Sequence, residues 1–413
     1  MSRRVVVTGI GLVTPLGLGK DSFTERLMGG ESAISRIESF DTSSLSSHLG
    51  AEVVDFDPKN YIDSKAIRKM DRISRMAAAA AAMAVNDSGL KIDDSNRDRV
   101  GIILGVSMGS TDVSLKIIDT IFNEGPTMIN PILVPNTVMN APAGHASIVL
   151  GLRGINSTVN HKEASAETAT AYSAGEIANG RADAIMAGGA DIISPFPYEV
   201  LTRFRALSPM GGGSEGARPF DKGRNGFVYG EGAGIILLES LDTAQERGAE
   251  IIAEVLGWGM SAAPSPLSDW PEDTKGPVLA MRRAVESANL KPTDIDYISA
   301  SANGGKRLDR IEAESIREVF GGTGGEAKSP LVSSIKGAVG ESLSSGGIRS
   351  AAAAISLKDG MIPPTLNLDD PIAPLSFVVG EKRVENISTA MVNGFSSGGT
   401  FVSLIFGKFD GSP

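Results

Sequence analysis

The sequence contains no cysteine, only three histidines and only two tryptophans. A chain without cysteine can form no disulfide, no cysteine-ligated zinc or iron–sulfur site and no thiol nucleophile. The histidines, His48, His145 and His161, lie far apart in the sequence, and a histidine-rich metal site would need nearly all of them. The residue types therefore predict no metal centre.

Long apolar runs and an excess of positive charge are also missing. No stretch approaches the roughly 20 apolar residues that a membrane-spanning helix needs. The N-terminal MSRRVVVTGIGLVTPLG is typical of a first strand and turn rather than of a signal peptide. The net charge of −10 argues against nucleic acid as the main partner. We expect a soluble cytoplasmic protein that binds neither nucleic acid nor membrane, and 413 residues suffice for two sizeable α/β cores.

Glycine is abundant, at 49 residues, and it separates short β-branched runs from alanine-rich segments. The β-branched runs predict strands buried on both faces, in RVVVTGIG, VGIILGVSMG, AIMAGGAD, GIILLESL, IDYISASANG and STAMVNGF. The segments MDRISRMAAAAAAMAVNDSG and AMRRAVESANL predict helices. The alternation of the two kinds of segment indicates an α/β protein.

Two further predicted helices consist mainly of Ala, Ser, Gly and Thr. One runs from Glu163 to Gly180 and the other from Glu341 to Gly360. Helices so short of large side chains suit a protein centre, where backbones approach closely. Because DRVGIILGVSMG and TDIDYISASANG form a second similar pair, we predict an internal duplication, with halves at residues 1–250 and 251–413.

Longer motifs along the whole chain carry a resemblance to a known family. They are RRVVVTGIGLVTPLG, LVPNTVMNAPAGHASIVLGLRG, RADAIMAGGAD, ARPFDKGRNGFVYGEGAGIILLE, SSIKGAVG, IPPTLNLDDP and NGFSSGGTFVSLIFG. In this order and spacing the chain resembles a β-ketoacyl-[acyl carrier protein] synthase of the thiolase superfamily. The resemblance implies a duplicated thiolase-like five-layer αβαβα fold, usually a dimer, and no cofactor.

The resemblance also locates the catalytic positions, and all three are substituted. Relatives have a cysteine that takes the acyl group, where this chain has Glu163. Their two histidines, which assist decarboxylation and stabilise the enolate, correspond to Ser301 and Glu341. The family lysine is retained as Lys336. A carboxylate is a poor thioester-forming nucleophile, so we expect no ordinary condensation by this chain alone.

Binding positions are retained only in part. In the glycine-rich gate Phe395 remains, but Ser397 replaces the second aromatic residue. Asn303 and Gly305 replace the two hydroxyl residues that hold the pantetheine arm in relatives. For docking of an acyl carrier protein, the resemblance assigns a cluster that we call the basic trio, Lys65, Arg68 and Lys69, whereas Thr127 and Met128 replace other basic docking residues.

Three functions stay open from the sequence. The first is a non-condensing partner that resembles chain-length-factor subunits and pairs with a cysteine-bearing ketosynthase, with Glu163, Lys336 and Glu341 as a buried ion-paired plug. The second is a divergent acyl-thioester hydrolase, acyltransferase or decarboxylase that uses Glu163 and Glu341 as an acid–base pair, with His161 or Lys162 assisting. The third is a module that binds acyl carrier protein without catalysis. The sequence leaves homodimer and heterodimer open.

Overall fold

The structure is a computed structural model that describes residues 2–321, 329–344 and 346–411. Its strands are β1 (Val5–Thr14), β2 (Gly17–Leu18), β3 (Ser35–Arg36), β4 (Leu49–Ala51), β5 (Val100–Gly105), β6 (Asn156–Val159), β7 (Ala184–Asp191), β8 (Tyr229–Gly230), β9 (Gly232–Ser240), β10 (Ala253–Ala262), β11 (Tyr297–Ser299), β12 (Leu331–Ser333), β13 (Met361–Ile362), β14 (Ser376–Phe377), β15 (Arg383–Val384), β16 (Thr389–Ser396) and β17 (Thr400–Gly407). Its α-helices are α1 (Lys20–Met28), α2 (Ser64–Ile67), α3 (Arg72–Ser88), α4 (Thr111–Asn123), α5 (Ala141–Leu150), α6 (Ser165–Ala178), α7 (Pro195–Arg203), α8 (Leu241–Glu246), α9 (Lys275–Ser287), α10 (Lys306–Phe320), α11 (Lys336–Val339) and α12 (Gly347–Asp359).

The main sheet repeats one strand order on both sides of a central junction. Its path is β14-β12-β11-β16-β17-β10-β1-β9-β7-β5-β6, with β2 paired to β1 beside it. On one side β5 pairs parallel with β6 and β7. β9 then pairs antiparallel with β7, and β1 pairs antiparallel with β9. On the other side β11 pairs parallel with β12 and β16. β17 then pairs antiparallel with β16, and β10 pairs antiparallel with β17. β1 and β10 pair antiparallel at the junction, where Val5 lies opposite Val255.

The six predicted strands are confirmed as parts of β1, β5, β7, β9, β11 and β16. β5 and β11, which contain the second similar pair of segments, hold the same place in the two strand orders. The division of the chain near residue 250 stays a prediction.

Helices cover the outer faces of the sheet. The predicted helix that begins near Met70 is α3, and it packs on β1 and β9 beside α5. The Asp71 side chain caps its start by accepting from the backbone N–H of Ser74, and Gly89 ends it in the left-handed conformation. The second predicted helix is α9, which packs on β10 and β17 beside α10.

The two helices of small residues form the central layer. α6 contacts β5 and β7 and also β16 and β17, and α12 contacts β7, β9 and β16. A Cβ added to Gly105 would lie 2.5 Å from the backbone nitrogen of Ala166 in α6. A Cβ added to Gly234 would lie 2.2 Å from the backbone nitrogen of Ile348 in α12. Such close approach requires small residues, so the expectation of a buried central pair is confirmed and the layers run αβαβα.

The predicted start of the second central helix is wrong. Glu341 does not begin a helix: its N–H donates to Val228 and its carbonyl accepts from Gly230, as an isolated bridge beside β8. Gly340 has a φ of +72°, which ends α11, and α12 starts only at Gly347. Residue 345 of the predicted helix lies outside the described residues. The first central helix, predicted to begin at Glu163, starts close to that position, because a turn of 3-10 helix at Lys162–Ala164 leads directly into α6.

In the described part of the chain, the helices lack the length or the apolar character of a membrane span. Across the same residues, His, Asp and Glu side chains do not gather in groups of three that could hold a metal ion.

Candidate functional site

Five chain segments meet where the parallel strands end. Glu163 follows β6, Ser301 follows β11, Lys336 follows β12, and Ser397 follows β16. Glu341 enters from the loop after α11. In open α/β sheets, functional groups gather at the carboxyl ends of strands. The structure thus brings together the residues that the sequence assigned to the family's catalytic positions.

Lys336 and Glu341 form a buried ion pair at this site. Nζ of Lys336 lies 2.5 Å from Oε2 of Glu341, and the two side chains are only 5% and 4% exposed. Nζ also donates to the Ser301 carbonyl at 2.7 Å. Asn303 Nδ2 donates to the same Glu341 oxygen at 2.8 Å. Buried charges persist when they are paired and hydrogen-bonded, and both conditions hold here.

Glu163 lines the same small cavity as Lys336 and Glu341, but its hydrogen bonds go elsewhere. Its carboxylate accepts from Ser396 Oγ at 2.9 Å, from the Ser397 N–H at 3.2 Å and from Ser397 Oγ at 3.1 Å. Burial, and to a lesser degree the nearby charge of Glu341, raises the pKa of Glu163. Of the predicted three-residue plug, Lys336 and Glu341 are therefore ion-paired, whereas Glu163 is held by serines.

Lys162, the residue before Glu163, connects the half-buried Glu163 segment to a neighbouring loop. Lys162 Nζ donates to the Leu267 carbonyl and lies 3.3 Å from Ser397 Oγ. The loop that contains Leu267 is also bonded to the gate, because the Gly398 N–H donates to the Asp269 carbonyl at 2.8 Å. In the cavity that Glu163 and Glu341 line, the centre of a water molecule can occupy a volume of about 10 Å³. That volume suffices for about one water.

The aromatic residue of the gate lies in the core. Phe395 is fully buried in β16, edge-on to Phe401 with ring centroids 5.3 Å apart. Its N–H donates to Ser301 Oγ at 3.2 Å. His161, proposed as an assistant in the enzyme hypothesis, has its Nδ1 3.2 Å from Thr168 Oγ1, and burial lowers its pKa.

Two carboxylates on α10 hold the loop after β11. Glu312 accepts from the N–H groups of Ser301 and Ala302 at 2.8 and 2.6 Å. Asp309 accepts from the N–H groups of Asn303 and Gly304 at 3.0 and 3.2 Å, and burial raises the pKa of Asp309 to about 7. The Asn303 side chain also accepts from the Gly305 N–H at 2.9 Å. Asn303 and Gly305 are thus parts of a tightly bonded loop that presents Asn303 to the buried ion pair.

Sequence reasoning missed a second buried ion pair beneath the first. Arg349 of α12 pairs with Glu167 of α6, and the two side chains are 4% and 0% exposed. Arg349 also donates to the Ala300 and Asn393 carbonyls, and it lines the cavity of Glu163. Burial raises the pKa of Glu167, and Arg349 opposes the shift. A single arginine in an otherwise alanine-rich helix, together with a glutamate four residues after Glu163, was the signal available.

The basic trio lies on the surface around α2, and all three side chains are exposed. Thr127 and Met128 are exposed as well. Of the docking positions named from the sequence, the trio therefore supplies the basic residues. Near α3, the helix α4, the 3-10 turn Val134–Thr137 and α5 lie side by side and present large apolar side chains to solvent. We call these residues the apolar surface: Leu115, Ile118, Phe122, Val134, Val138 and Ile148.

Comparisons with known proteins match nearly the whole chain. Residues 2–244 match the family described as Beta-ketoacyl synthase, N-terminal domain, and residues 252–369 match Beta-ketoacyl synthase, C-terminal domain. The 3-oxoacyl-[acyl-carrier-protein] synthase 2 of Vibrio harveyi is 37% identical over 411 residues, covering 98% of this chain and 99% of that protein. The protein of the same name from Coxiella burnetii is 35% identical over 411 residues, covering 98% of this chain and 99% of that protein.

Solved structures agree with this assignment. The structure described as the ishigamide ketosynthase/chain length factor superposes with a TM-score of 0.92 at 31% identity, covering 99% of this chain and 100% of that one. A beta-ketoacyl synthase from Burkholderia phymatum STM815 superposes with a TM-score of 0.89 at 30% identity, covering 98% of this chain and 100% of that one. The thiolase-like αβαβα fold is thereby established. This chain belongs to the beta-ketoacyl synthase family.

Proposed function

We propose that this protein is a non-condensing subunit that pairs with a cysteine-bearing ketosynthase, in the manner of a chain length factor. In this proposal its halves, residues 1–250 and 251–413, form the scaffold of one subunit of a heterodimer. The observation that carries the proposal is that Glu341, at a position that the resemblance assigns to a catalytic histidine, is held in a buried ion pair with Lys336.

The charges at the site oppose the chemistry of condensation. An enolate and a tetrahedral oxyanion both develop negative charge, and active sites stabilise that charge with preorganised donors. Here Lys336 is already neutralised by Glu341, and the backbone donors at Ser301 and Ala302 are occupied by Glu312. Glu163 supplies a second carboxylate instead of a thiolate. A malonyl group would meet repulsion in place of stabilisation.

The contacts around Glu163 and the small cavity beside it support the same proposal. A substrate would have to displace the Lys162–Leu267 bond and the serine donors of Glu163 before reaching a cavity of about 10 Å³. An enzyme that used Glu163 and Glu341 as an acid–base pair would need an open path to both carboxylates. The buried arrangement therefore favours the partner hypothesis over the acyl-thioester enzyme.

The apolar surface supplies a place for the ketosynthase. Phe122 is 83% exposed and Ile148 is 76% exposed, and contiguous apolar side chains of this kind mark protein interaction sites. The high similarity to a structure described as a ketosynthase/chain length factor supports the identity of the partner. The acyl carrier protein is the second partner, and the basic trio is its proposed docking site.

Native mass spectrometry of tagged protein from its own host, at native expression level, tests the proposal. We expect a one-to-one complex with a ketosynthase that contains the catalytic cysteine. A pure homodimer would contradict the proposal and direct attention to turnover of acyl thioesters at Glu163. A pair of variants sharpens the test: Val138→Glu on the apolar surface should abolish the complex, whereas Val384→Glu on β15, an exposed valine outside that surface, should leave it intact.

A further inference from the structure

Asn136 is a buried polar residue within an exposed segment. It lies in the 3-10 turn Val134–Thr137 and is only 3% exposed, whereas Val134 and Val138 on either side are 51% and 53% exposed. A buried amide is stable only if its hydrogen bonds are made. Its partners therefore define how this part of the apolar surface is attached to the rest of the protein.

The amide of Asn136 connects two separate elements. Its Nδ2 donates to the Lys69 carbonyl at 3.0 Å, and its Oδ1 lies 2.9 Å from His145 Nε2. Because the nitrogen faces a carbonyl, the oxygen must face the imidazole, and His145 Nε2 is then the donor. His145 belongs to α5, and Lys69 belongs to the turn between α2 and α3. One side chain thus joins the apolar segment to the turn that contains Arg68 and Lys69 of the basic trio and directly follows α2, which contains Lys65.

Besides Asn136, local backbone bonds and the buried side chains of Ile67 and Met70 hold the turn at Lys69, where the Met70 N–H donates to the Ile67 carbonyl at 3.1 Å. The Lys69 N–H donates to the Ala66 carbonyl at 3.1 Å, which closes the short helix α2. The side chains of the trio are exposed, so their positions depend on the backbone of this turn. Any restriction of the segment at residues 134–138 is transmitted to the Lys69 carbonyl through Asn136.

We propose that Asn136 is a positioning residue that couples the two docking surfaces, so that a protein bound at the apolar surface strengthens docking of an acidic carrier protein at the basic trio. This inference rests on the proposed function for the identity of the two partners. A bound partner restricts the segment at residues 134–138 and, through Asn136, the turn of the trio. The carrier protein then loses less conformational entropy when it binds, because the turn at the trio is already ordered. Coupling free energies are reciprocal, so the carrier must strengthen the subunit association by the same factor.

The dissociation constant of the purified assembly, measured with and without saturating acyl carrier protein from the same host, tests this coupling. For the wild type we expect about a fivefold tighter association with the carrier, at the low end of known couplings. Asn136→Ala should reduce the factor to about one, and the loss of its buried hydrogen bonds should lower the melting temperature without preventing assembly. Thr137→Ala is the matched control, because Thr137 donates only within its own turn, to Val134, and it should keep the wild-type factor.

The outcome separates this inference from the proposed function. The measurement applies to a heterodimer with a ketosynthase and equally to a homodimer, so a homodimer contradicts the proposed function without affecting the coupling test. Replacing the three residues of the basic trio of this chain with Glu should also remove the effect, as expected if the carrier acts through the trio. Equal dissociation constants with and without carrier in the wild type, or an unchanged factor in Asn136→Ala, would overturn the inference.

Discussion

Removal of Lys336 should destabilise the protein far more than removal of the whole ion pair. In Lys336→Met, Glu341 keeps only the donor from Asn303, and the Ser301 carbonyl loses its donor. Glu341 is 4% exposed, and the cavity beside it has room for about one water, so bulk solvent cannot replace the lost cation. Breaking one side of a buried ion pair costs about 3–5 kcal/mol, mainly because a charge is left buried and uncompensated.

The double variant Lys336→Met with Glu341→Gln removes both charges and keeps an acceptor for Asn303. Because the desolvation of two charges is avoided, we expect its free energy of unfolding within about 1 kcal/mol of the wild type. Urea unfolding at pH 7 and fixed protein concentration gives both differences, and the pair's interaction energy follows from the cycle with Glu341→Gln. A loss below about 1 kcal/mol in Lys336→Met alone would refute the reasoning, since it would mean that Glu341 is solvated or neutral.

Three further predictions concern access to Glu163, the buried acids and the docking surface. Because the chain has no cysteine, Glu163→Cys introduces a single thiol. A maleimide should label this thiol at least about tenfold more slowly than the thiol of Ser214→Cys, which lies on an exposed loop. Adding Lys162→Ala, which removes the bond to the Leu267 carbonyl, should speed the labelling of Glu163→Cys. Equal rates at the two thiols would show that position 163 lies open to solvent. Burial raises the pKa of Asp191 from 3.8 to about 7. The folded state therefore binds the proton more tightly, and this stabilisation is present below about pH 4 and lost as the pH rises through about 7. Asp191→Asn should remove this pH dependence, which lowers the free energy of unfolding of the wild type by up to about 4 kcal/mol between pH 4 and 8. The same slope of unfolding free energy against pH in the variant and the wild type would contradict the raised pKa of Asp191. Reversal of all three charges of the basic trio should weaken carrier binding and remove its salt dependence in fluorescence anisotropy, whereas a mere loss of packing would leave that dependence in place.

Local patterns in the sequence were sufficient for six of the strands and for the two helices of the central layer, and motif order assigned the catalytic positions by resemblance. The β-branched runs predicted β1, β5, β7, β9, β11 and β16, because strands buried on both faces need continuous apolar residues. The small residues of α6 and α12 predicted a central layer, because close backbone contact excludes large side chains. Motif order alone located Glu163, Ser301 and Glu341, and the absence of cysteine excluded a thiol nucleophile.

The hydrogen bonds and ion pairs of the site depended on the tertiary structure. Glu163 is bonded to Ser396, which is 233 positions away, and Glu167 is paired with Arg349, which is 182 positions away. No local pattern encodes such pairings, since they arise only when segments distant in the sequence meet around the central helices. For the same reason the sequence placed Glu341 at a helix start, although its backbone bonds to Val228 and Gly230 hold it outside the helix. The sequence by itself determined which side chains stand at the positions that the resemblance assigns to catalysis. Only the packing of distant segments decided which of them are ion-paired, which are held by serines and how little space is left between them.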